Sequence, residues 1–207
     1  MNSRGTVFLV DDDDALRRAT ARLLTANGFE VRAFASADEY LERFDPAAHG
    51  CLLLDLRMPG KSGLELQKAL AQRGSPPPIV FLTGHADVPA SVLAMKQGAL
   101  DFLEKPVSEP NLLAALERAI ELDEEQRIQH AELAVIRTRY DALTPREREV
   151  LGEMIAGQLN KQAAYSLGIA ERTVKLHRSR VMEKMSAKSI PELVRMAERL
   201  GLKPAGG

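Results

Sequence analysis

The length and composition of this chain already exclude several classes of protein. Its 207 residues are 45% hydrophobic and 28% charged, which is ordinary for a folded chain of one or two domains. The single cysteine rules out an intramolecular disulfide, and no apolar run approaches the roughly 18 residues that a membrane span requires. We therefore predict a cytoplasmic protein that does not associate with membranes.

The net charge of −1 conceals two parts of opposite sign. Residues 1–140 carry 16 Lys and Arg against 21 Asp and Glu, whereas residues 141–207 carry 12 against 8. The total alone argues against a nucleic-acid partner, but this asymmetry indicates different partners for the two parts. A basic second part makes nucleic acid a candidate partner again.

Strand and helix patterns alternate in the first part of the chain. Short apolar, β-branched or aromatic runs predict five strands, at residues 6–10, 30–34, 51–55, 78–83 and 101–104. Segments with helical spacing separate them, and strict alternation predicts a parallel sheet covered on both faces. Cys51 lies in a fully apolar run and is expected in the core. The predicted fold class is α/β, a doubly wound five-stranded parallel sheet.

Only helical patterns follow the fifth strand. No Gly or Pro occurs from Asn111 to Leu143, which predicts one helix of about 30 residues, far longer than packing on the sheet requires. Its distal part, residues 123–140, is predicted to be a linker helix whose last apolar residues pack on a partner helix or on another chain. Four short helical stretches predict a small all-α domain at residues 141–207, and Thr144 and Glu147 form a capping box at its start.

Polar residues follow four of the five predicted strands. The first strand is followed by the acidic run 11–14, the third ends at Asp55, the fourth ends at Thr83 and the fifth is followed by Lys105. Because ligands bind beyond the carboxyl ends of parallel strands, we expect these residues to converge on one edge of the sheet. Taken singly, each has a plain structural explanation as a cap, a turn residue or a surface lysine.

The chemistry of this edge indicates a metal ion and a phosphoryl group. Clustered carboxylates repel one another and need a counter-charge, which Mg²⁺ supplies with few protein ligands. A central aspartate beside such an ion can act as a nucleophile toward phosphorus. Thr83 and Lys105 are placed to bind phosphoryl oxygens. His85, close to Thr83 in sequence, is interpreted as a loop residue.

Four motifs give residues 5–122 a resemblance to the receiver domain of two-component response regulators: VFLVDDDD, LLLDLRMPGKSG, IVFLTGHADVP and AMKQGALDFLEKP. The resemblance implies a receiver domain at residues 1–122 with the flavodoxin-like strand order 2-1-3-4-5 and a cis Lys105–Pro106 peptide. It implies that Asp55 is the phosphoacceptor and that Thr83 and Lys105 bind phosphate. It also implies a Mg²⁺ site formed by Asp12, Asp55 and the Arg57 carbonyl, with Asp11 assisting through water, and it makes Phe102 the aromatic switch residue.

The helical tail contains a candidate helix-turn-helix. Two helical stretches flank a turn at Gly168, and the second one is rich in basic residues: Arg172, Lys175, His177, Arg178, Arg180 and Lys184. A merely solvated charged helix is the alternative explanation. The segment, with its element TVKLH, resembles the LuxR-type helix-turn-helix, which together with the receiver points to the FixJ-like branch of the NarL/FixJ class. The resemblance implies DNA contacts from Asn160, Lys161, Thr173, Lys175, Leu176, Arg178, Ser179 and Arg180.

We therefore predict a phosphorylation-dependent, DNA-binding transcriptional regulator of a two-component system, and not a dedicated enzyme. Its partners would be a sensor histidine kinase, double-stranded DNA and, once phosphorylated, a second copy of the chain. Two alternatives remain at this point. A phosphohydrolase could use Asp11 as its nucleophile with Asp13 two residues later, or the helical tail could bind protein instead of DNA.

Overall fold

A computed structural model describes residues 4–74, 76–84 and 88–205 of the chain. The chain divides into two compact units, Met1–Gln126 and Arg127–Gly207, each of which is described below by itself. His85, interpreted above as a loop residue, lies outside the described residues.

The first unit contains a single parallel sheet in its described part. The strands are β1 (Thr6–Val10), β2 (Glu30–Phe34), β3 (Cys51–Leu54), β4 (Ile79–Thr83) and β5 (Asp101–Glu104). Their order in the sheet is β2-β1-β3-β4-β5, and every neighbouring pair is parallel. The alternating helices are α1 (Asp14–Ala26), α2 (Ala37–Glu42), α3 (Gly63–Ala71), α4 (Val88–Lys96) and the start of α5 (Glu109–Asp141). The predicted fold class and strand order are confirmed.

Both faces of this sheet are covered, as the apolar run in β3 predicted. All four residues of β3 are fully buried, and they alternate between two hydrophobic cores. Leu52 and Leu54 pack in the same core as Tyr40 of α2, whereas Cys51 and Leu53 pack in the core that contains residues of α1 and α5. With both faces buried, the carboxyl-end edge of the sheet is left as the place for polar chemistry.

Helix α5 is continuous over 33 residues, as predicted. Its last turns belong to the second unit, where Ile136 is 6% exposed and Leu133 and Tyr140 are partly buried against the same core. The predicted packing of this stretch on partner helices is therefore realised within the chain. The remaining helices are α6 (Pro145–Ile155), α7 (Asn160–Leu167), α8 (Glu171–Met185) and α9 (Ile190–Arg199).

Local signals in the sequence set the boundaries of the helices in the second unit. Thr144 and Glu147 form the predicted capping box at the start of α6, with hydrogen bonds of 3.3 and 2.9 Å between each side chain and the other residue's backbone N–H. Gly168 caps the carboxyl end of α7, and its φ of 64° lies in the left-handed region that favours glycine. Helix α8 begins three residues later, which gives the predicted helix-turn-helix.

Candidate functional site

The residues predicted to form the acidic site do lie at the carboxyl-end edge of the sheet. Asp11 and Asp55 directly follow β1 and β3, Thr83 ends β4, and Lys105 directly follows β5. Carboxylate oxygens of Asp11, Asp12 and Asp55 lie within 4.8 Å of one another. Asp11 is 2% exposed while Asp12 is exposed, so the cluster has one buried wall and one side open to solvent.

Lys105 joins the two less exposed carboxylates. Its Nζ donates hydrogen bonds to Asp11 Oδ2 at 2.9 Å and to Asp55 Oδ2 at 2.7 Å. Burial by itself would lower the pKa of this ammonium group, but the hydrogen bonds to the two carboxylates outweigh burial and raise it. Burial raises the pKa of Asp11, and the contact with Lys105 partly opposes that effect. The site therefore holds a fixed positive charge between two carboxylates.

Backbone groups orient both carboxylates. The N–H of Asp13 donates to Asp11 Oδ1 at 2.9 Å, and the N–H of Arg57 donates to Asp55 Oδ1 at 3.2 Å. The N–H of Asp55 in turn donates to the Val10 carbonyl at 2.9 Å, which ties the residue to the end of β1. One oxygen of each carboxylate is thus held by the backbone and the other contacts Lys105.

The acidic run after β1 serves two purposes at once. Asp13 is the N-cap of α1, where its Oδ1 accepts hydrogen bonds from the backbone N–H of Ala15 at 2.9 Å and of Leu16 at 3.0 Å. These hydrogen bonds lower the pKa of the Asp13 carboxyl. Helix capping and carboxylate clustering therefore both occur, on neighbouring residues of one run.

Arg17 also lies at this edge, although it was not among the residues predicted from the sequence. This side chain is mostly buried, and it donates to the Asp11 carbonyl at 2.7 Å and to Asp14 Oδ1 at 2.8 Å. It brings a second cation close to the acidic edge and fixes the turn between β1 and α1. The available signal was the spacing of three residues between an acid and an arginine at the start of a helix.

The fourth and fifth strands contribute the remaining predicted residues. Thr83 is 1% exposed, and its carbonyl accepts the backbone N–H of Lys105 at 2.7 Å. The Lys105–Pro106 peptide is cis, as predicted. Phe102 is only partly buried, and its ring lies 6.1 Å from that of Phe81 between centroids. Phe102 is therefore not a fully enclosed core residue.

A second candidate site lies on the helix-turn-helix of the other unit. Val174, Val181 and Met185 of α8 are fully buried, so this helix packs with one face and presents the other. The predicted DNA-contacting residues that are exposed are Lys161, Lys175, Leu176, Ser179 and Arg180, and those that are partly exposed are Asn160, Thr173 and Arg178. None of the eight is buried in the core.

Lys175 pairs with Glu171 of the same helix at 3.4 Å, and two other basic side chains of α8 contact groups outside the helix. Arg178 Nη1 donates to the Gln158 carbonyl at 3.1 Å, just before α7. Lys184 Nζ donates to Glu147 Oε2 at 2.7 Å and to the Ala142 carbonyl at 3.2 Å. Lys184 thus pairs with a glutamate that is 2% exposed, so it contributes to the packing of the helical unit.

Comparison with protein families assigns the two parts of the chain. Residues 7–117 match the response regulator receiver domain, and residues 141–197 match the bacterial regulatory proteins of the luxR family. The chain belongs to the response regulators. Because it combines a receiver with a luxR-family DNA-binding domain, the chain is a transcriptional regulator of a two-component system and not a dedicated enzyme. The phosphohydrolase interpretation is thereby overturned, and its second aspartate, Asp13, is a helix cap.

Individual proteins are similar to this response regulator over nearly its whole length. Nodulation protein W of Bradyrhizobium diazoefficiens is 44% identical over 97% of this chain and 88% of its own. The transcriptional regulatory protein FixJ of Azorhizobium caulinodans is 45% identical over 96% of this chain and 94% of its own. The solved structure of the response regulator StyR is 46% identical, with a TM-score of 0.82 over 94% of this chain and 98% of that chain.

Among the helices that the structure describes, none combines the length and the apolar character needed to cross a membrane.

Proposed function

We propose that Asp55 is the phosphoacceptor of this response regulator and that a sensor histidine kinase supplies the phosphoryl group. The observation that carries this proposal is the bridge from Lys105 to Asp11 and Asp55, at 2.9 and 2.7 Å, within a cluster of three carboxylates. Asp55 is partly exposed while Asp11 is buried, so of the two carboxylates that Lys105 contacts, Asp55 is the one that an incoming phosphohistidine can reach.

The transfer moves one phosphoryl group between two side chains. A carboxylate oxygen of Asp55 attacks the phosphorus of the phosphohistidine, the P–N bond breaks, and its electron pair stays on the leaving imidazole. Lys105 then pairs with the phosphoryl oxygens, and the Thr83 hydroxyl donates a hydrogen bond to one of them. The acyl phosphate carries a charge of about −2 in place of the −1 of the carboxylate, and its oxygens draw Thr83 toward the site while Phe102 turns inward into the space beside it.

The donor set suits Mg²⁺. Asp12, Asp55 and the Arg57 carbonyl would hold the ion, with Asp11 contacting it through water, and hard oxygen ligands of this kind are those that Mg²⁺ prefers. Because Asp12 is exposed, water retains access to the remaining coordination positions. When bound, the ion supplies positive charge that neutralises the phosphoryl oxygens.

Incubation of the full chain with acetyl phosphate and Mg²⁺ tests the phosphoacceptor. Intact-protein mass spectrometry should detect one phosphoryl group on the wild type and none on Asp55→Asn. The matched control is Asp13→Asn, which removes a carboxylate of the same acidic run and should still be phosphorylated. Phosphorylation that persists in Asp55→Asn would place the acceptor elsewhere.

We propose further that α8 enters the major groove of double-stranded DNA. The support is its exposed row of Lys175, Leu176, Ser179 and Arg180 on a helix whose other face is packed. Asn160 and Lys161 at the start of α7 would contact the DNA backbone, and Thr173 and Arg178 would lie near bases or phosphates.

Binding to DNA at several salt concentrations tests this interface. Lys175→Ala should weaken binding by about tenfold, as expected for the loss of one base or phosphate contact. Lys188→Ala removes an exposed lysine beyond the end of α8 and serves as the control. Binding that is indifferent to both Lys175→Ala and salt would support a protein partner for the helical unit instead.

Oligomeric state, cellular location and domain boundaries complete the proposed function. We propose that the phosphorylated chain forms a homodimer that presents two α8 helices to an operator with two half-sites, and that it acts in the cytoplasm, where the DNA is. The receiver domain would comprise residues 1–122, the linker helix 123–140 and the DNA-binding domain 141–207. Footprinting across the genome with the wild type and Asp55→Ala would report the binding sites and their dependence on phosphorylation.

A further inference from the structure

A cavity of about 320 Å³ opens on one flank of the first unit. Its walls are formed by β1, β2, the end of α2, the segment 43–48 and Pro77. Ala48 and Pro77 precede β3 and β4, so the cavity reaches the amino ends of these strands, whereas Asp55 follows a carboxyl end. The volume falls within the range of about 300 to 1,000 Å³ that is typical of small-molecule sites.

One wall of this cavity is aromatic. Tyr40 of α2 is 3% exposed, and its ring centroid lies 5.1 Å from that of Phe34, 5.9 Å from that of Phe8 and 5.9 Å from that of Phe44. The Tyr40 ring meets those of Phe8 and Phe34 edge-on, so the wall is a rigid assembly of rings. A planar apolar ring of similar size can pack against such a wall.

Two guanidinium groups lie at the rim. Arg32 stands over the Phe8 ring at 6.0 Å and pairs with Glu30 at 3.0 Å, and both side chains of that pair are more than half exposed. Arg43 lies 3.4 Å from Glu39 and its side chain is 68% exposed. Exposed pairs of this kind are weak, and an arginine has five N–H donors, so both guanidiniums can also bind a carboxylate.

The backbone of β2 adds a donor to the same rim. The N–H of Glu30 donates to the Gly5 carbonyl, and the Phe34 carbonyl accepts the N–H of Asp11, so the even-numbered residues of β2 pair with β1. In a parallel ladder the intervening residue Ala33 then directs its N–H and C=O away from β1. Because β2 lies at the edge of the sheet and Ala33 lines the cavity, this N–H faces an incoming ligand.

We propose that this cavity is a binding site for a small aromatic carboxylate, with one ring against Tyr40 and Phe34 and the carboxylate between Arg32 and Arg43. The chemistry of the lining carries the assignment, because a stacked aromatic wall beside two cations fits an anionic ring and disfavours a cationic one. Asp45 also lines the cavity, but its Oδ1 accepts the N–H of Ala47 at 2.8 Å within its own turn. Its negative charge should weaken the binding of an anion.

Titration of the full chain with benzoate, followed by calorimetry and by NMR shifts of the lining residues, tests the proposal. We expect saturable binding with a Kd below about 1 mM, a value within reach of a ligand of this size. Benzylamine, which has the same ring and the opposite charge, should bind at least about tenfold more weakly.

Three variants should change benzoate binding in different directions. Arg43→Gln should weaken it about tenfold through the loss of a charge-assisted contact. Ala48→Leu should abolish it by filling the cavity, while Asp45→Asn should tighten it severalfold. Arg22→Gln, which removes an exposed arginine of α1, is the control and should have no effect.

Several results would overturn the proposal: no saturation at 5 mM benzoate, equal affinity for benzylamine, or binding that survives Ala48→Leu. Phosphorylation by acetyl phosphate in the same Ala48→Leu protein should be normal. That measurement separates loss of the cavity from loss of the fold, and it leaves the proposed role of Asp55 independent of this test.

Discussion

Lys105 is the residue on which the acidic edge of the receiver depends. It contacts both Asp11 and Asp55, and it supplies the positive charge that allows a 2% exposed carboxylate to lie beside another one. Sequence alone predicted its proximity to Asp55, because the carboxyl ends of parallel strands share an edge. Its simultaneous contact with Asp11 depends on a side-chain conformation that no sequence pattern specifies.

Replacement of this lysine should make the stability of the receiver depend on magnesium. In Lys105→Met the two carboxylates lose their counter-charge, and we expect a loss of about 1–3 kcal/mol in the free energy of unfolding without Mg²⁺. Adding Mg²⁺ should restore more stability to this variant than to the wild type, as thermal unfolding with and without the ion can show. Lys61→Met, which removes an exposed pair with Asp38, is the control, and an equal response of all three proteins would refute the prediction.

Glu147 makes the second unit sensitive to acid. A hydrogen bond from Lys184, reinforced by the Thr144 backbone, lowers the pKa of this carboxyl from 4.5 to about 2. A depressed pKa means that the carboxylate stabilises the fold above about pH 4.5 and that this contribution is lost as the pH falls toward 2. We expect the free energy of unfolding of this unit to fall across that window.

The Lys184→Met variant isolates this effect. It should be about 2 kcal/mol less stable than the wild type at neutral pH and should show a flatter dependence on pH below 4.5. Urea unfolding followed by NMR signals of the second unit provides the measurement, and Lys188→Met, an exposed lysine, is the control. Parallel pH profiles for Lys184→Met and the wild type would contradict the assignment.

At the scale of elements, helix α1 shows what a sequence can and cannot specify. Four consecutive aspartates predict both a helix cap and an acidic site, and both are present. Which aspartate does which depends on the backbone, because the extended conformation of Asp13, with φ −70° and ψ 104°, turns its carboxylate toward the start of α1. The identity of the residues alone does not contain that information.

Two alanine variants can test whether Asp13 caps α1 while Asp12 serves the acidic site. Asp13→Ala should lower the free energy of unfolding through the lost cap, and it should leave phosphorylation by acetyl phosphate within about twofold of the wild type. Asp12→Ala should have the reverse effect, with little change in stability and a strong loss of Mg²⁺-dependent phosphorylation. Similar phosphorylation rates in the two variants would show that Asp12 has no special role.

The strands were predictable to within one residue because short runs rich in apolar, β-branched or aromatic residues lie between polar turns and alternate with helical segments. The surface on which the end of α5 packs was harder to predict. Leu133, Ile136 and Tyr140 pack in the core of the second unit, while Val135 on the same helix is 50% exposed. Apolar spacing indicates that a face is buried, but the surface that buries it is a property of the tertiary structure.

At the scale of the whole molecule, the helical unit has a hydrophobic core of its own, to which the end of α5 contributes. We therefore predict that this unit folds by itself when it includes the end of α5. A fragment of residues 127–207 should be folded and should bind DNA. A fragment of residues 141–207 lacks Ile136 and its neighbours, and we expect it to be less stable by about 2–4 kcal/mol, the usual cost of removing large buried side chains. Urea unfolding of both fragments gives the comparison, and equal stabilities would mean that α5 contributes nothing to this core.

The single cysteine of the chain is the first residue of β3, the central strand of the sheet, and it has no exposed surface. Burial raises the pKa of its thiol to about 12. An alkylating reagent can therefore react with Cys51 only after the middle of the sheet has opened. Since the helical unit contains no cysteine, the labelling rate measures how often the receiver alone opens. The measurement works in the intact chain and needs no engineered probe. Comparison of that rate before and after phosphorylation would measure how far the proposed phosphorylation of Asp55 changes the stability of the sheet beneath it.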